Sequence, residues 1–449
     1  MVKTRIIGNK NNSNSTLAHY LTVANAGDAA SASTNPNPSI ESARNGREPI
    51  LSVLEDAGIN EFNAKDILRL PLWSSVSELY YNTKSNSSGS IEKYSELGKS
   101  GPVILGLEGC AGFRERVPPR DRFLGVAGNF NSGTTAFGIS LQKNCRFAEH
   151  PPSKNFVVRR KRNVVFASNV NGMLSQVPWA KHKTAEYRHG NHSIFPPSME
   201  YSSIDRDRVL PIVLVRDPFY WMQSMCKEGY GVRWDHDSNH HCPNLIPNDF
   251  DQKHFPPKQQ PPAAAAGDEN IGLSPIPVWM GANPTVGPTW PSLIHYWNAW
   301  YESYYSNANS PAKTGVDNNN PSTWPRLMIR FEDTLFYPKQ VMEAVCHCGG
   351  GKLLFEPSTS SSGGKQQHQL HNHEHTHDYT FEEAKPEHKH QQKNNFVTAM
   401  VEYGTNITRL RNMTDEDVRF AIESLNPTLM QVFGYSYPNV KADTNPQQH

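Results

Sequence analysis

Short apolar runs of strand length alternate with segments of helical periodicity over residues 101–348, and this alternation is the strongest constraint on the fold. The runs RFLGVAGNF (122–130) and RVLPIVLVRDP (208–218) are continuous and apolar, as strands buried on both faces are. TTAFGISLQKNC (134–145) and FYWMQSMCK (219–227) follow them at helical spacing. Strand–helix repeats of this kind predict a mostly parallel sheet with helices on both faces, a three-layer αβα sandwich.

Other segments extend the same alternation. PVILGL (102–107), NVVFASNV (163–170) and RLMIRFED (326–333) are predicted to be further strands. PSLIHYWNAWYESYY (291–305) and YPKQVMEAVCHC (337–348) are predicted to be helices. The aromatic side chains of 291–305 recur at helical spacing, which favours a place in the core over sugar binding.

Composition divides the rest of the chain. Residues 1–47 are rich in Asn and Ser without periodicity, which predicts disorder. Residues 48–100 are predicted to be a lead-in of two short helices before the main α/β domain, 101–348. Within that domain, 243–291 is a proline-rich insertion, and 349–393 is a low-complexity loop rich in His, Gln, Ser and Gly. Residues 394–438 are predicted to form amphipathic helices that pack on the main domain.

Charge and hydropathy exclude several classes of function. The formal net charge of +1 gives no electrostatic argument for a nucleic-acid partner. No apolar run reaches the roughly 18 residues of a membrane span, so membrane anchoring is expected only if the N-terminus is incomplete. Histidines concentrated in 368–390 lack the i, i+4 spacing of a catalytic zinc helix, and no metal site is predicted. No pattern indicates the oligomeric state.

Cysteines and glycosylation triplets bear on the cellular compartment. Among six cysteines, Cys226 and Cys242 flank a loop that a disulfide could close; the alternative is two unrelated buried thiols. Asn-x-Ser/Thr triplets begin at Asn11, Asn14, Asn86, Asn191, Asn406 and Asn412. Both features favour a Golgi-type lumen, whereas the lack of an apolar anchor favours the cytoplasm; we expect the lumen.

The segment GNFNSGTTAF (128–137) joins one predicted strand to a helix. A glycine-rich turn there directs backbone N–H groups at one point, and the helix dipole favours an anion. Gly128 and Gly133 have the spacing of a nucleoside-triphosphate loop, but Thr134 stands where that loop carries its lysine. The loop is therefore predicted to hold one phosphate rather than the triphosphate of ATP; the alternative is a tight turn without a ligand.

The stretch VLVRDPFYWMQS supplies a second anion-binding pattern. It places Arg216 at the end of a strand and Ser224 eight residues later, within the following helix. Arginine can grip a phosphate through two hydrogen bonds, and a serine hydroxyl adds a donor. The alternative is an arginine paired with a carboxylate and a serine without a ligand.

Together, FNSGTT and VLVRDPFYWMQS resemble the two nucleotide-binding motifs of the PAPS-dependent sulfotransferases, over about residues 120–348. In that family the first motif is usually P-K-S-G-T-T and cradles the 5′-phosphosulfate, while the second binds the 3′-phosphate. The resemblance implies a fold of the P-loop nucleotide-binding type. It also implies sulfuryl transfer from PAPS, leaving PAP and requiring no metal, to a hydroxyl or amine of a small-molecule or glycan acceptor. The residues it assigns to the nucleotide are Asn131, Ser132, Gly133, Thr134, Thr135, Arg216 and Ser224.

The chain departs from the family's pattern at the loop, where Asn131 replaces the lysine and Phe130 the proline. Negative charge builds on the bridging oxygen as the sulfuryl group leaves, and a nearby cation lowers that barrier. Asn131 donates a hydrogen bond but carries no charge. Lys181 and Lys183, in VPWAKHKTAEYR, lie between the two motifs along the chain and are the nearest cations that could replace the lysine. A silent PAPS/PAP-binding protein remains open, as does, with less support, a P-loop nucleotide kinase.

Transfer to a hydroxyl also needs a base to accept the proton. His182 is the predicted base, because many sulfotransferases use a histidine that follows the second strand. Glu186, four residues further on, is the alternative, since some glycan sulfotransferases use a glutamate.

Overall fold

The structure is a computed structural model of the chain. It describes residues 39–57, 59–81, 101–150, 157–160, 163–167, 169–188, 203–255, 274–282, 284–285, 287–309, 324–355, 396–406 and 408–439. Most of the predicted disordered segment, the proline-rich part of the insertion and the histidine-rich tract lie outside these residues. Within the described ranges, no helix combines the length and hydropathy needed to cross a bilayer.

The helices and strands follow in chain order. The helices are α1 (Ile40–Arg44), α2 (Glu48–Asp56), α3 (Ala64–Ile67), α4 (Trp73–Tyr80), α5 (Cys110–Arg116), α6 (Thr134–Asn144), α7 (Pro218–Lys227), α8 (Asp249–His254), α9 (Leu293–Asn309), α10 (Asp333–Phe336), α11 (Pro338–Gly349), α12 (Phe396–Gly404), α13 (Asp415–Ser424) and α14 (Pro427–Val432). The strands are β1 (Ile104–Leu105), β2 (Phe123–Gly128), β3 (Cys145–Arg146), β4 (Val157–Arg160), β5 (Asn163–Ala167), β6 (Asn169–Val170), β7 (Met173–Leu174), β8 (Val209–Val215), β9 (Val232–Arg233), β10 (Val278–Met280), β11 (Thr289–Trp290), β12 (Leu327–Arg330) and β13 (Lys352–Leu353).

The central sheet has six strands in the order β1-β12-β8-β2-β7-β6. Strands β12, β8, β2 and β7 run parallel, with Gly128 opposite Leu214 and Arg330 opposite Val215, which confirms the predicted mostly parallel sheet. The outer strands β1 and β6 are antiparallel to their neighbours. Because β2, β8 and β12 are adjacent and parallel, the segments that follow them meet at one edge of the sheet.

Most of one predicted strand lies outside the central sheet. NVVFASNV contributes β5 to a separate two-stranded antiparallel sheet with β4, and only its last two residues, as β6, reach the edge of the central sheet. The sheet position beside β2 belongs to β7. Strand β5 pairs with the strand immediately before it, and closing such a short connection costs little chain entropy. Its apolar letters fit either position, so sequence alone did not separate them.

Segment boundaries also differ from those predicted. Helix α1 lies inside the stretch 1–47, and the described residues of 48–100 form three helices, α2, α3 and α4, where two were predicted. The insertion 243–291 contains α8 and supplies β10 and β11 to an antiparallel sheet with β9. Strand β13 lies within 349–393 and pairs with β3. Composition reports the average character of a segment, so such short elements escape it.

The aromatic side chains of α9 lie in the core, as predicted. Trp297, Trp300, Tyr301 and Tyr304 are at most 1% exposed. Two indoles bond to backbone near the loop end of the sheet: Trp297 Nε1 donates to the carbonyl of Arg216 at 3.1 Å, and Trp300 Nε1 donates to that of His182 at 3.2 Å. Helix α9 therefore supports the segments that follow the strands.

Disulfides pair every cysteine of the chain. Cys226 and Cys242, which the sequence left either bridged or as two separate thiols, form a disulfide. Two further bridges, Cys110–Cys348 and Cys145–Cys346, were not predicted. They join the end of α11 to the start of α5 and to β3, across 238 and 201 residues of chain, so sequence proximity could not reveal them.

A buried ionic cluster fastens the insertion to the C-terminal helices. His241 is 1% exposed, and its ring nitrogens lie 2.6 Å from Asp251 Oδ2 and 2.5 Å from Asp417 Oδ2. Burial opposes the charged ring, but the two carboxylates outweigh it and raise the pKa of His241. Asp417 Oδ1 also accepts from the N–H groups of Leu245 and Ile246, at 3.0 and 3.1 Å. The cluster links α8 to the first turn of α13.

Candidate functional site

The loop after β2 is a compact turn that needs both of its glycines. Gly133 has φ +83°, and a Cβ there would lie 2.3 Å from the Phe331 ring. A Cβ on Gly128 would lie 2.4 Å from Ser132 Oγ. Ser132 Oγ donates to the carbonyl of Asn129 at 2.7 Å and closes the turn. The two glycines therefore serve the tight turn and close approach expected of this motif.

Helix α6 begins at the end of this turn with an open N-terminus. Its first intrahelical hydrogen bond runs from Phe137 N to the carbonyl of Gly133, at 3.1 Å. Gly133 is the N-cap residue, so no N-cap side chain bonds to the N–H groups of the first turn. The earlier N–H groups of the first turn are thus available to an anion, which the helix dipole also favours.

Of the hydroxyls assigned to the loop, one is exposed. Ser132 is fully buried and uses its hydroxyl inside the turn, and Thr134 is 4% exposed. Thr135 is exposed, and its Oγ1 accepts from Lys181 Nζ at 3.0 Å. A ligand at this loop would therefore meet backbone N–H groups, Thr135 and Lys181, with Ser132 acting through the shape of the turn.

Asn131 connects the loop to the end of α7. Its backbone has φ +57°, a value that asparagine tolerates better than most residues. Its side-chain amide donates to the carbonyl of Glu228 at 2.7 Å and to that of Ser224 at 3.3 Å. The described partners of this amide all belong to the α7 end, so the side chain anchors the loop. The structure thereby brings Asn131 beside Ser224, a proximity the sequence did not show.

Arg216 follows β8 and lies against the same loop. It is 8% exposed, and its Nη1 donates to the carbonyl of Asn131. The guanidinium carbon lies 4.9 Å from the centre of the Tyr403 ring and 5.4 Å from that of Phe331. Its Nε is buried without a hydrogen-bond partner among the described residues. The structure thus places Arg216 next to the loop, as the paired motifs predict.

The charges around Arg216 leave this buried cation only partly compensated. Burial lowers the pKa of the Arg216 guanidinium, and the carboxylates of Glu402 and Glu332 partly offset that effect. Burial and the neighbouring Asp217 raise the pKa of Glu332 to about 7, so Glu332 is partly protonated near neutral pH. Asp217 is held by Arg409, with Nη2 to Oδ2 at 2.7 Å. Glu332 and Asp217 would therefore repel a dianion beside Arg216 only weakly, which leaves Glu402 as the main carboxylate facing it.

Helix α7 holds the loop at further points. Asp217 caps the helix by accepting from the N–H groups of Phe219 and Tyr220. Trp221 Nε1 donates to the carbonyl of Phe130 at 2.7 Å. Ser224, the predicted 3′-phosphate ligand, lies one turn further along and is partly exposed. Arg216, Trp221 and Ser224 thus all contact the loop at Phe130 or Asn131.

Residues 181 and 182 extend along the end of β2. Gly128 N donates to the carbonyl of Lys181, and His182 Nδ1 donates to the carbonyl of Gly128, both at 2.8 Å. Lys183 points its ammonium at the Tyr187 ring, 4.7 Å from the ring centre. Of the two lysines proposed as replacement cations, the structure thus brings Lys181 to the loop and places Lys183 on a different contact.

His182 is held in its neutral form. Burial and the charge of Lys181 lower the pKa of His182 to about 4, and hydrogen bonds to the carbonyls of Gly128 and Asn129 offset part of that shift. A proton on Nδ1, bonded to a carbonyl, leaves Nε2 as the unprotonated nitrogen. Glu186, the alternative base, is exposed in the 3₁₀ turn Ala185–Arg188.

Two aromatic supports of the site were missed. Phe331 and Tyr403 flank Arg216, yet Tyr403 lies 187 residues further along the chain. Phe331 belongs to RFED, where its place after a predicted strand was the available signal. Nothing in the local sequence of Tyr403 connects it with Arg216.

Neither metal chemistry nor known proteins add an assignment. Within the ranges that the structure describes, no group of three or more His, Cys, Asp or Glu side chains is arranged to hold a metal ion. In comparisons with known proteins, no family model, no curated protein and no solved structure matches this chain.

Proposed function

We propose that this protein is a PAPS-dependent sulfotransferase with a P-loop nucleotide-binding fold, its sheet lying between two layers of helices. One observation carries the proposal. The loop and the N-terminus of α6 follow β2, and Arg216 follows β8, the adjacent parallel strand. Lys181 contacts the first turn of α6, and Arg216 contacts the loop just before it. Two cationic positions at one strand edge suit a nucleotide with phosphate groups at two ends.

In this proposal the 5′-phosphosulfate lies at the first turn of α6, where its oxygens accept hydrogen bonds from the backbone N–H groups and from the Lys181 ammonium. The 3′-phosphate is bound by Arg216 and Ser224. Arg216 would then exchange the Asn131 carbonyl for a phosphate, a stronger partner for a guanidinium. A single phosphate end at α6 also explains why the loop lacks the lysine of a triphosphate site at Thr134.

Sulfuryl transfer makes one bond and breaks another. The acceptor oxygen bonds to sulfur, the bond from sulfur to the bridging phosphate oxygen breaks, and PAP leaves. His182 Nε2 takes the acceptor proton, and Lys181 with the α6 N–H groups offsets the charge that develops on the leaving oxygen. Burial is the largest cause of the low pKa of His182, and an anion near Lys181 would offset the additional lowering that the charge of Lys181 produces. Nucleotide binding should therefore make His182 a stronger base.

The disulfides bear on compartment and acceptor. Proteins keep disulfides in oxidising compartments, and here all six cysteines are paired. This supports the Golgi-type lumen and, with it, a carbohydrate acceptor.

Asn131 favours a second candidate function, a silent PAPS/PAP-binding protein. Its amide is committed to α7 and supplies no charge to the loop. In that case the nucleotide binds but the sulfuryl group is not transferred. The two proposals differ in the role of Lys181: the enzyme requires its charge for transfer, as the replacement for the missing loop lysine, whereas a silent binder does not.

Thermal unfolding with nucleotides tests the proposed site. PAP should raise Tm, because both of its phosphates engage the folded state, whereas Mg·ATP should do far less. Arg216→Ala should weaken PAP binding by about 1.5–3 kcal/mol. Transfer of labelled sulfate from PAPS to mixed acceptors then separates the enzyme from the silent binder. Equal stabilisation by Mg·ATP and PAP would contradict both and favour a nucleotide kinase.

A further inference from the structure

Two aromatic rings, Phe130 and Tyr230, lie in series next to the ring of the candidate base. The His182 and Phe130 ring centres are 4.5 Å apart with their planes tilted by 31°, and the Phe130 and Tyr230 rings are stacked, 5.4 Å apart with 13° between their planes. These separations place the His182 and Tyr230 rings no more than about 10 Å apart. Phe130 is fixed by the bond from Trp221 Nε1 to its carbonyl. Tyr230, the outer ring, is 49% exposed.

Core packing does not explain Tyr230. Its φ is +53°, in the left-handed region that a bulky residue rarely adopts, and it lies between Gly229 and Gly231. A half-exposed ring gains little from burial there, so its strain points to a role outside folding. The strained turn is held on both sides. Gly281 N donates to the carbonyl of Gly231 at 2.9 Å, and the Cys226–Cys242 disulfide closes the surrounding loop.

We propose that Tyr230 is a binding platform for a sugar ring of an oligosaccharide acceptor, one or two sugar residues away from the hydroxyl that His182 deprotonates. The proposal rests on the proposed sulfotransferase function and adds a residue that sets its acceptor class. An exposed aromatic face packs against the C–H face of a pyranose, while the phenol hydroxyl can bond to its hydroxyls.

Length favours this acceptor over smaller ones. An acceptor whose hydroxyl reaches His182 must extend past Phe130 to cover Tyr230 as well, and an oligosaccharide does so more readily than a monosaccharide or a simple phenol. An oligosaccharide spans both positions, and the paired cysteines favour a compartment in which such chains occur. The preference for a longer acceptor should therefore depend on the Tyr230 ring.

Two substitutions at Tyr230 test the ring without unfolding the loop. Tyr230→Asn removes the ring but tolerates the positive φ, so it should keep the wild-type Tm and PAP affinity. Tyr230→Phe keeps the ring and is the matched control. The acceptors are cellotetraose, chitotetraose, a lactosamine tetrasaccharide and a chondroitin tetrasaccharide, each compared with its monosaccharide and with p-nitrophenol.

In the wild-type protein, at least one tetrasaccharide should have a KM at least tenfold below that of its monosaccharide. Tyr230→Asn should raise this tetrasaccharide KM about tenfold, with kcat within twofold of wild type and the monosaccharide KM unchanged. Tyr230→Phe, which keeps the ring, should retain the wild-type KM values. No tetrasaccharide advantage, or an advantage that survives Tyr230→Asn, overturns the platform. Calorimetry with PAP tests the proposed function separately from the platform. If the wild-type protein does not bind PAP, the proposed nucleotide site itself is wrong.

Discussion

Replacing Lys181 with methionine tests whether this residue supplies the charge missing at Asn131. Methionine keeps most of the length and packing of the lysine stem but removes the ammonium. Lys183→Met is the matched control, because that ammonium faces the Tyr187 ring instead of the loop. The two positions are two residues apart in the same segment, so a general disturbance of the segment would affect both variants.

The expected magnitude follows from the position of the ammonium. Lys181 Nζ lies 3.0 Å from Thr135 Oγ1, in the first turn of α6, so an anion bound at this turn would lie about 4 Å away. At an effective dielectric constant of about 20, opposite charges at that distance attract by about 4 kcal/mol. Part of this attraction already stabilises the bound nucleotide before transfer, so only the remainder lowers the barrier of the reaction. We expect Lys181→Met to lower kcat by about 10²–10³-fold, the effect of removing one donor to a developing oxyanion.

Stability provides an independent check. Burial lowers the pKa of Lys181, which means that the folded protein holds this ammonium at a desolvation cost. Without nucleotide, Lys181→Met should therefore not lower Tm. The assay is labelled sulfate transfer at saturating PAPS, with the PAP-induced shift in Tm measured in parallel. Lys183→Met should retain turnover within about twofold of wild type. Full turnover in Lys181→Met would refute the relocated cation.

Three further outcomes concern acid–base groups and the stapled loop. Because the pKa of His182 is lowered to about 4 in the nucleotide-free protein, the acid limb of kcat/KM for PAPS should lie near pH 4 rather than 6.5. His182→Ala should lower kcat by about 10²–10⁴-fold, and full turnover would leave Glu186 as the base. The pKa of His241 is raised, so its stabilisation is fully present below about pH 6.5 and is lost as pH rises through the folded-state pKa. In urea unfolding, the stability difference between wild type and His241→Gln should therefore shrink from pH 6 to pH 9, and a constant difference would contradict the charged ring. Replacing Cys226 and Cys242 together with serine should lower the free energy of unfolding by about 3 kcal/mol in the same assay, and a loss below 1 kcal/mol would show that the bridge adds little.

Sequence patterns determined the parts of this protein that depend on short stretches of chain. Continuous apolar runs followed by helical periodicity identified β2 with α6 and β8 with α7, because burial on both faces requires such runs. Parallel strands carry their following loops to a common edge, so the proximity of the Gly133 loop and Arg216 could be predicted. The short spacing of Cys226 and Cys242 likewise identified one possible disulfide, although it did not decide whether the bridge forms.

Tertiary structure decided which of several equivalent residues meet. Lys181 and Lys183 have the same chemistry two positions apart, and the pairing of residue 181 with Gly128 selects the first. NVVFASNV has the apolar character of a sheet strand, yet its first five residues pair with β4 outside the main sheet and only its last two join that sheet, as β6. Tyr403 reaches Arg216 from a distant helix. Local periodicity reports how one segment buries its own side chains, whereas these choices depend on energies of contact between segments far apart in the chain. Those energies exist only once the chain has closed on itself.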